Sequence, residues 1–188
     1  KGIYKAVFQG QEAKSEADVW EGSTTSKVLN SPSLAKKKSL VVSSFPQIGS
    51  DEVGTGDFFG PIVVCAAYLR KEDMPLVEEL GVTDSKKMED SYILSIGPKL
   101  INSFDYSELS LSPSKFNEVH DEFNMNAIKA KMHNRCLLNL KARHPESHLY
   151  QDQFAEASLY YHYLSNEKEV ATPIAFSTRG ELAFPSVA

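Results

Sequence analysis

Gly49–Leu69 reads GSDEVGTGDFFGPIVVCAAYL: two adjacent acids, two nearby glycines, then a run of nearly pure hydrocarbon. The run Ile62–Leu69 is strand-sized, well short of the roughly 20 apolar residues a membrane helix needs. An apolar strand from Gly60 to Leu69, joined through a Gly54–Phe59 turn to a shorter strand around Ile48, predicts a hairpin. Asp51 and Glu52 then stand at the edge of a strand that should be buried. Adjacent strand residues point to opposite faces. The two acids can serve one site only at a strand end, where Gly54 and Gly56 let the chain turn and the longer Glu52 reaches around.

Two carboxylates about 4 Å apart repel by about 1 kcal/mol in water and about 4 kcal/mol at an effective dielectric of about 20. Something must offset that cost. A pair of Mg²⁺ or Mn²⁺ ions would reverse its sign, since hard oxygen ligands suit hard cations, and paired ions serve phosphodiester cleavage. Such a site needs further acids. Asp152, ending the segment HLYQD, and Glu156, four residues on, are the candidates, with Glu181 in reserve. A plainer alternative stays open: Asp51 and Glu52 as solvated surface charges, Asp152 and Glu156 as a helix cap and a first-turn acid. Gly54-Thr55-Gly56 is a tight turn or a place where bare amides approach a nucleic-acid backbone. It lacks the Gly-Lys-Ser/Thr ending of a nucleotide-binding P-loop.

Outward from this stretch, strands and helices alternate. Helices are expected at about Glu89–Asn102, Pro113–Asp121, Asn124–Lys141 and Glu156–Leu164. Further strands are expected at Phe104–Leu111, His148–Asp152 and Ile174–Ser177. Met125, Ile128, Met132, Cys136 and Leu140 form the apolar stripe of the long helix. The pattern predicts an α/β domain with a mixed sheet. Residues 1–22 are too few to bury a core, and 23–45, rich in Ser and Lys, read as a linker. Both ends look cut from a longer protein.

The chain has 188 residues, a net charge of −5 and 41% hydrophobic residues, ordinary for a domain with a core. The acidic total hides a segregated distribution: between Ala127 and Arg143 every charged residue is basic. That permits a polyanionic partner. Cys65 and Cys136 read as buried small hydrophobes in a reducing compartment, so a cytoplasmic location is expected. His144 and His148 are four apart, but Pro145 breaks the helix that would align them on zinc.

The stretch GSDEVGTGDFFGPIVV resembles the opening motif of ribonuclease HIII, a bacterial branch of the type 2 ribonucleases H; Thr55 stands where the sister branch, ribonuclease HII, usually has Arg. The likeness continues through TDSKKM (Thr83–Met88), NMNAIKAKMHN (Asn124–Asn134), YQDQFAE (Tyr150–Glu156) and FSTRGELAFPSVA (Phe176–Ala188). It implies a ribonuclease H-like mixed β-sheet flanked by α-helices over residues 46–188, incomplete at the C-terminus. Residues 1–22 would then be the tail of an N-terminal substrate-binding domain resembling the TATA-binding-protein fold. The implied enzyme cuts the RNA strand of RNA–DNA hybrids with two Mg²⁺ or Mn²⁺ ions, leaving 5′-phosphate and 3′-hydroxyl ends. Its catalytic and metal-binding acids map onto Asp51, Glu52, Asp152 and Glu156. Substrate contacts map onto Gly54, Thr55, Gly56, Ser85, Lys86, Lys87, Asn126 and Lys129. His133 shares a helical face with Asn126 and Lys129, either lining the groove or packing quietly, and Arg179 and Glu181 have no assigned role. A non-catalytic hybrid-binding fragment is the alternative. Neither a membrane nor a small-molecule cofactor is implied, and a monomer is expected.

Overall fold

The computed structural model describes residues 44–57 and 59–188. The segment expected at 1–22, and residues 23–43 of the linker expected at 23–45, lie outside the described residues. Five strands form one sheet in the order β3-β2-β1-β4-β5. Strands β1 (Gln47–Val53) and β2 (Ile62–Leu69) are the expected antiparallel hairpin, extended by the antiparallel strand β3 (Tyr106–Leu111). Strand β4 (His148–Asp152) runs parallel to β1 on its other side, and β5 (Ile174–Ser177) runs parallel to β4. Parallel neighbours need a crossover, which the intervening helices supply.

Among the described residues, six α-helices accompany the sheet: α1 (Met74–Glu79), α2 (Asp90–Ser103), α3 (Pro113–His120), α4 (Met125–Arg143), α5 (Ala157–Tyr163) and α6 (Gly180–Ala183). Helix α4 starts where Asn124 accepts a hydrogen bond from the Ala127 amide, which satisfies a first-turn donor. Its stripe supplies Cys136, Leu137 and Leu140 to a core shared with Ile48, Val64, Ala66 and Leu149 of the sheet. The opposite face of the sheet is covered in part by Phe184 and Val187, which pack on Tyr150. No described helix is long and apolar enough to cross a membrane.

Two expectations need correction. Strand β1 does not stop near Ile48; its ladder with β2 runs on to the Val53–Val63 pair, so both acids lie inside the strand. Cys65 is exposed, whereas Cys136 is buried as expected. The reason is register: Cys65 pairs with Asp51 and shares its face, the one that α4 does not cover. Helices α1 and α6, of six and four residues, were not anticipated, being too short to show a helical period.

Candidate active site

Strand alternation separates the two adjacent acids. Ile48, Ser50 and Glu52 face α4, while Gly49, Asp51 and Val53 face the opposite side. The parallel register of β1 and β4 pairs Ser50 with Gln151, so one step further Asp51 stands beside Asp152 on the same face. Asp51 lines a cleft of about 230 Å³ together with Gly49, Cys65, Ser85 and Ser186. An adjoining apolar cavity of about 250 Å³, which shares Cys65 and Ser186 with the cleft and is lined further by Tyr68, Val77, Leu100 and Phe104, holds none of the predicted acids of the site.

Burial is the main reason that the Asp51 carboxyl is pushed up from 3.8 to about 6, helped by the charges of Glu52 and Asp152. The Glu52 amide, donating to Asp51 Oδ1 at 2.7 Å, and the nearby Lys86 ammonium oppose that rise without cancelling it. Asp152 is half-buried, and its Oδ1 accepts from the Gly180 amide at 2.8 Å, so it anchors the start of α6.

Glu52 has the reverse environment. Burial would raise its pKa, but His133 and Lys129 more than offset that and hold it below the usual glutamate value. Lys129 Nζ donates to Oε1 at 2.7 Å, and His133 Nε2 lies 2.9 Å from Oε2. His133 Nδ1 lies 2.9 Å from Ser50 Oγ. A carboxylate oxygen only accepts, so Nε2 donates to Glu52 while Nδ1 bonds the Ser50 hydroxyl. Lys129 also sits 4.0 Å from the centroid of the Phe154 ring.

The other candidates fall around this centre. Gly54 directly follows β1 with φ +90°, and a Cβ there would meet the Pro61 carbonyl oxygen at 2.3 Å, so the tight-turn reading holds at this position. Thr55 and Gly56 continue the turn, exposed. Ser85, Lys86 and Lys87 form a 3-10 turn capped by Asp84, which accepts from the Lys86 amide and pairs with Lys87 Nζ at 3.4 Å. Asn126 is half-buried on the first turn of α4. Lys129, expected among the substrate contacts, is instead buried against Glu52. Glu156 is exposed at the N-cap position of α5, one residue before the first turn where the plainer alternative placed it, and its side chain makes no capping bond.

Among the described residues, no three Asp, Glu, His or Cys side chains converge closely enough to hold an ion. The four predicted acids therefore do not form one cluster in this geometry, because Glu52 is drawn to the α4 face. The pair that does come together fits a divalent cation. Asp51 and Asp152 offer hard oxygen donors, and the negative charges of Glu52 and Asp152 add to the rise that burial imposes on Asp51. Glu52 is held on the α4 face by Lys129 and His133.

Sequence reasoning left His133 undecided and missed Ser50, Phe154 and Gly180. Ser50 and His133 had a signal: Ser50 lies two residues before Glu52 on one strand face, and Lys129 and His133 are one helical turn apart. The Gly180 contact spans 28 residues and had none.

Comparison with known proteins gives a consistent relationship. The chain is 40% identical over 196 residues to ribonuclease HIII of Bacillus mycoides (strain KBAB4), covering 98% of this chain and 62% of that protein. It is 39% identical over 199 residues to ribonuclease HIII of Bacillus anthracis (strain A0248), with the same coverage of each. The chain thus spans about three-fifths of the length of these curated relatives. Among solved structures, Bst-RNase HIII in complex with Mn²⁺ matches with a TM-score of 0.73 and 31% identity, over 95% of this chain and 60% of that one. The ribonuclease H2 of Pyrococcus horikoshii OT3 shares the fold, with a TM-score of 0.58 at 23% identity over 74% of this chain and 65% of that one. The family model described as ribonuclease HII matches residues 48–188, a span that includes the whole sheet but for the first residue of β1, and on that match the chain belongs to the ribonuclease HII family.

Proposed function

We propose that residues 46–188 are the catalytic part of a metal-dependent endoribonuclease that cuts the RNA strand of RNA–DNA hybrids. The observation that carries this reading is the placement of Asp51 one step beyond the Ser50–Gln151 pair, where the charge of Asp152 acts on it and its pKa is pushed up to about 6. Family membership and the Mn²⁺ complex of Bst-RNase HIII support it. The non-catalytic alternative has no comparable observation in its favour, since a purely binding surface gains nothing from two half-buried carboxylates that repel each other.

Asp51 and Asp152 would hold Mg²⁺ or Mn²⁺, with Glu52 and Glu156 completing a two-ion site. Bound there, such ions would polarise the scissile phosphate and make water a better nucleophile. The residues of the chain do the rest. Lys86, close enough to act on Asp51, attracts phosphate to the mouth of the cleft. The turn at Gly54-Thr55-Gly56 brings exposed backbone beside the ribose, where the 2′-hydroxyl distinguishes RNA from DNA. In-line attack by water leaves 5′-phosphate and 3′-hydroxyl ends. Residues 1–22 would belong to a substrate-binding domain, joined through 23–45.

The test is a labelled RNA–DNA hybrid incubated with the protein and Mg²⁺ or Mn²⁺. Endonucleolytic products with 5′-phosphates are expected, and Asp51→Asn should abolish them. Undiminished cleavage by that variant would place the chemistry elsewhere.

A further inference from the structure

The side chain of Glu52 is 10% exposed and that of Lys129 9%, so their pair at 2.7 Å is a buried one. Burying an ammonium is expensive unless its surroundings match the charge. Here two groups match it: the Glu52 carboxylate and the face of Phe154, 4.0 Å away. Phe154 lies on the segment between Asp152 and Glu156. Lys129 therefore ties the strand carrying one pair of acids to the segment carrying the other.

With Oε1 on Lys129 and Oε2 on His133, both oxygens of Glu52 are engaged. A divalent cation that recruits Glu52 draws on a carboxylate whose charge the Lys129 ammonium already balances. We propose that Lys129 is a built-in competitor for the divalent cation, occupying Glu52 in the metal-free protein and lowering the affinity of the site. The proposal rests on the metal-dependent reading above. Its energetic logic is reciprocal: whatever the pair adds to the metal-free fold is lost when the cation binds. His133 keeps Oε2 when Lys129 is removed, so the glutamate retains one donor and the strand one tie to α4.

Competition and simple positioning predict opposite signs. If Lys129 merely held Glu52 in a productive orientation, its loss would weaken metal binding. Competition makes the loss strengthen it. The experiment is calorimetric titration of Mn²⁺ into the full chain for wild type, Lys129→Met, Glu52→Gln and the double variant, with metal-free melting alongside. Lys129→Met should melt earlier without metal yet bind Mn²⁺ at least about fivefold more tightly, the lower end of common coupling strengths. In the Glu52→Gln background the same substitution should leave the affinity unchanged. Unchanged or weaker binding by Lys129→Met, with wild type still binding, overturns the competition and leaves the metal reading standing. Absence of Mn²⁺ binding by wild type overturns both. Should Lys129→Met fail to fold, Phe154→Leu loosens the ammonium while keeping both charges. Tighter Mn²⁺ binding is expected of it, and unchanged or weaker binding overturns the proposal.

Discussion

Asp51 and Asp152 stand side by side on one face of the sheet, one register step beyond the Ser50–Gln151 pair of two parallel strands. Their neighbours in sequence do not share that relationship. Glu52 points through the sheet to α4, and Gly180 reaches Asp152 from the far end of the chain. The site is thus a carboxylate pair with two separate supports, and each support responds to substitution in its own way.

Asp152→Asn separates charge from hydrogen bonding. Asparagine keeps an oxygen that can accept from the Gly180 amide, but it removes the negative charge beside Asp51. The metal-free protein should be as stable as wild type or slightly more so, because a repulsion is relieved. Asp152→Ala should instead lose about 1 kcal/mol, the usual effect of deleting such an acceptor. Urea unfolding of both variants without metal checks this. A large loss for Asp152→Asn would mean that the carboxylate charge itself anchors α6.

Stability of the metal-free protein should fall as pH rises through the window set by Asp51. Its folded pKa of about 6 exceeds the ordinary 3.8, so between these values the folded state keeps a proton that the unfolded chain has released. Folding is then favoured by acid, and the advantage disappears once pH passes about 6. Glu52 acts in the opposite sense. Its lowered pKa contributes stability that is present above 4.5 and lost as pH falls through the folded value, so it leaves the upper part of the Asp51 window clear. Asp51→Asn should therefore gain on wild type between pH 4.5 and 7, measured as the difference in urea midpoints. A constant difference would mean that Asp51 ionises normally.

The sheet was legible because its hydrophobic runs are bounded by glycine, proline or charge. Ile174–Ser177 was located to the residue, and the stripe from Met125 to Leu140 gave α4 to within two residues at either end. What misled was the stretch around the acids. Charged residues at a predicted edge suggested that β1 ends early, whereas cross-strand pairing with Val63 and Val64 carries it through Val53. Local propensity cannot register such pairing. The same gap concealed the ion pair of Glu52 with Lys129, whose partners sit far apart in sequence and meet only once α4 lies on the sheet. Asp152 was legible as an acid at a strand end, but its bond to Gly180 depends on where the chain goes after β5.

Lys86 and Lys87 should differ in their effect on hybrid binding. Lys87 already pairs with Asp84 at 3.4 Å, while Lys86 acts on Asp51 at the cleft. In an Asp51→Asn background, Lys86→Ala should weaken binding and reduce the slope of log affinity against log salt by about one, the signature of one lost phosphate contact. Lys87→Ala should change the slope less. Fluorescence anisotropy with a labelled hybrid across a salt series gives both numbers. Equal effects would mean that the turn acts only through its total charge.

Gly49 and Gly56 should respond to alanine in contrasting ways. A Cβ on Gly49 would lie 2.4 Å from Ser186 Oγ and 2.5 Å from its carbonyl carbon. Strand β1 is fixed between β2 and β4, so the Ser186 segment must give way, and with it the packing of Phe184 and Val187 on Tyr150. Gly49→Ala should cost about 1–3 kcal/mol, typical of overpacking, and should expose the C-terminal segment to limited proteolysis. A Cβ on Gly56 meets nothing within 4 Å, and its φ is not in the left-handed region. Gly56→Ala should therefore leave stability unchanged or raise it by about 0.4–1 kcal/mol through the unfolded chain. If exposed amides of this turn approach the hybrid backbone, the same variant weakens hybrid binding at unchanged stability. Unaltered affinity would show that Gly56 serves the turn alone.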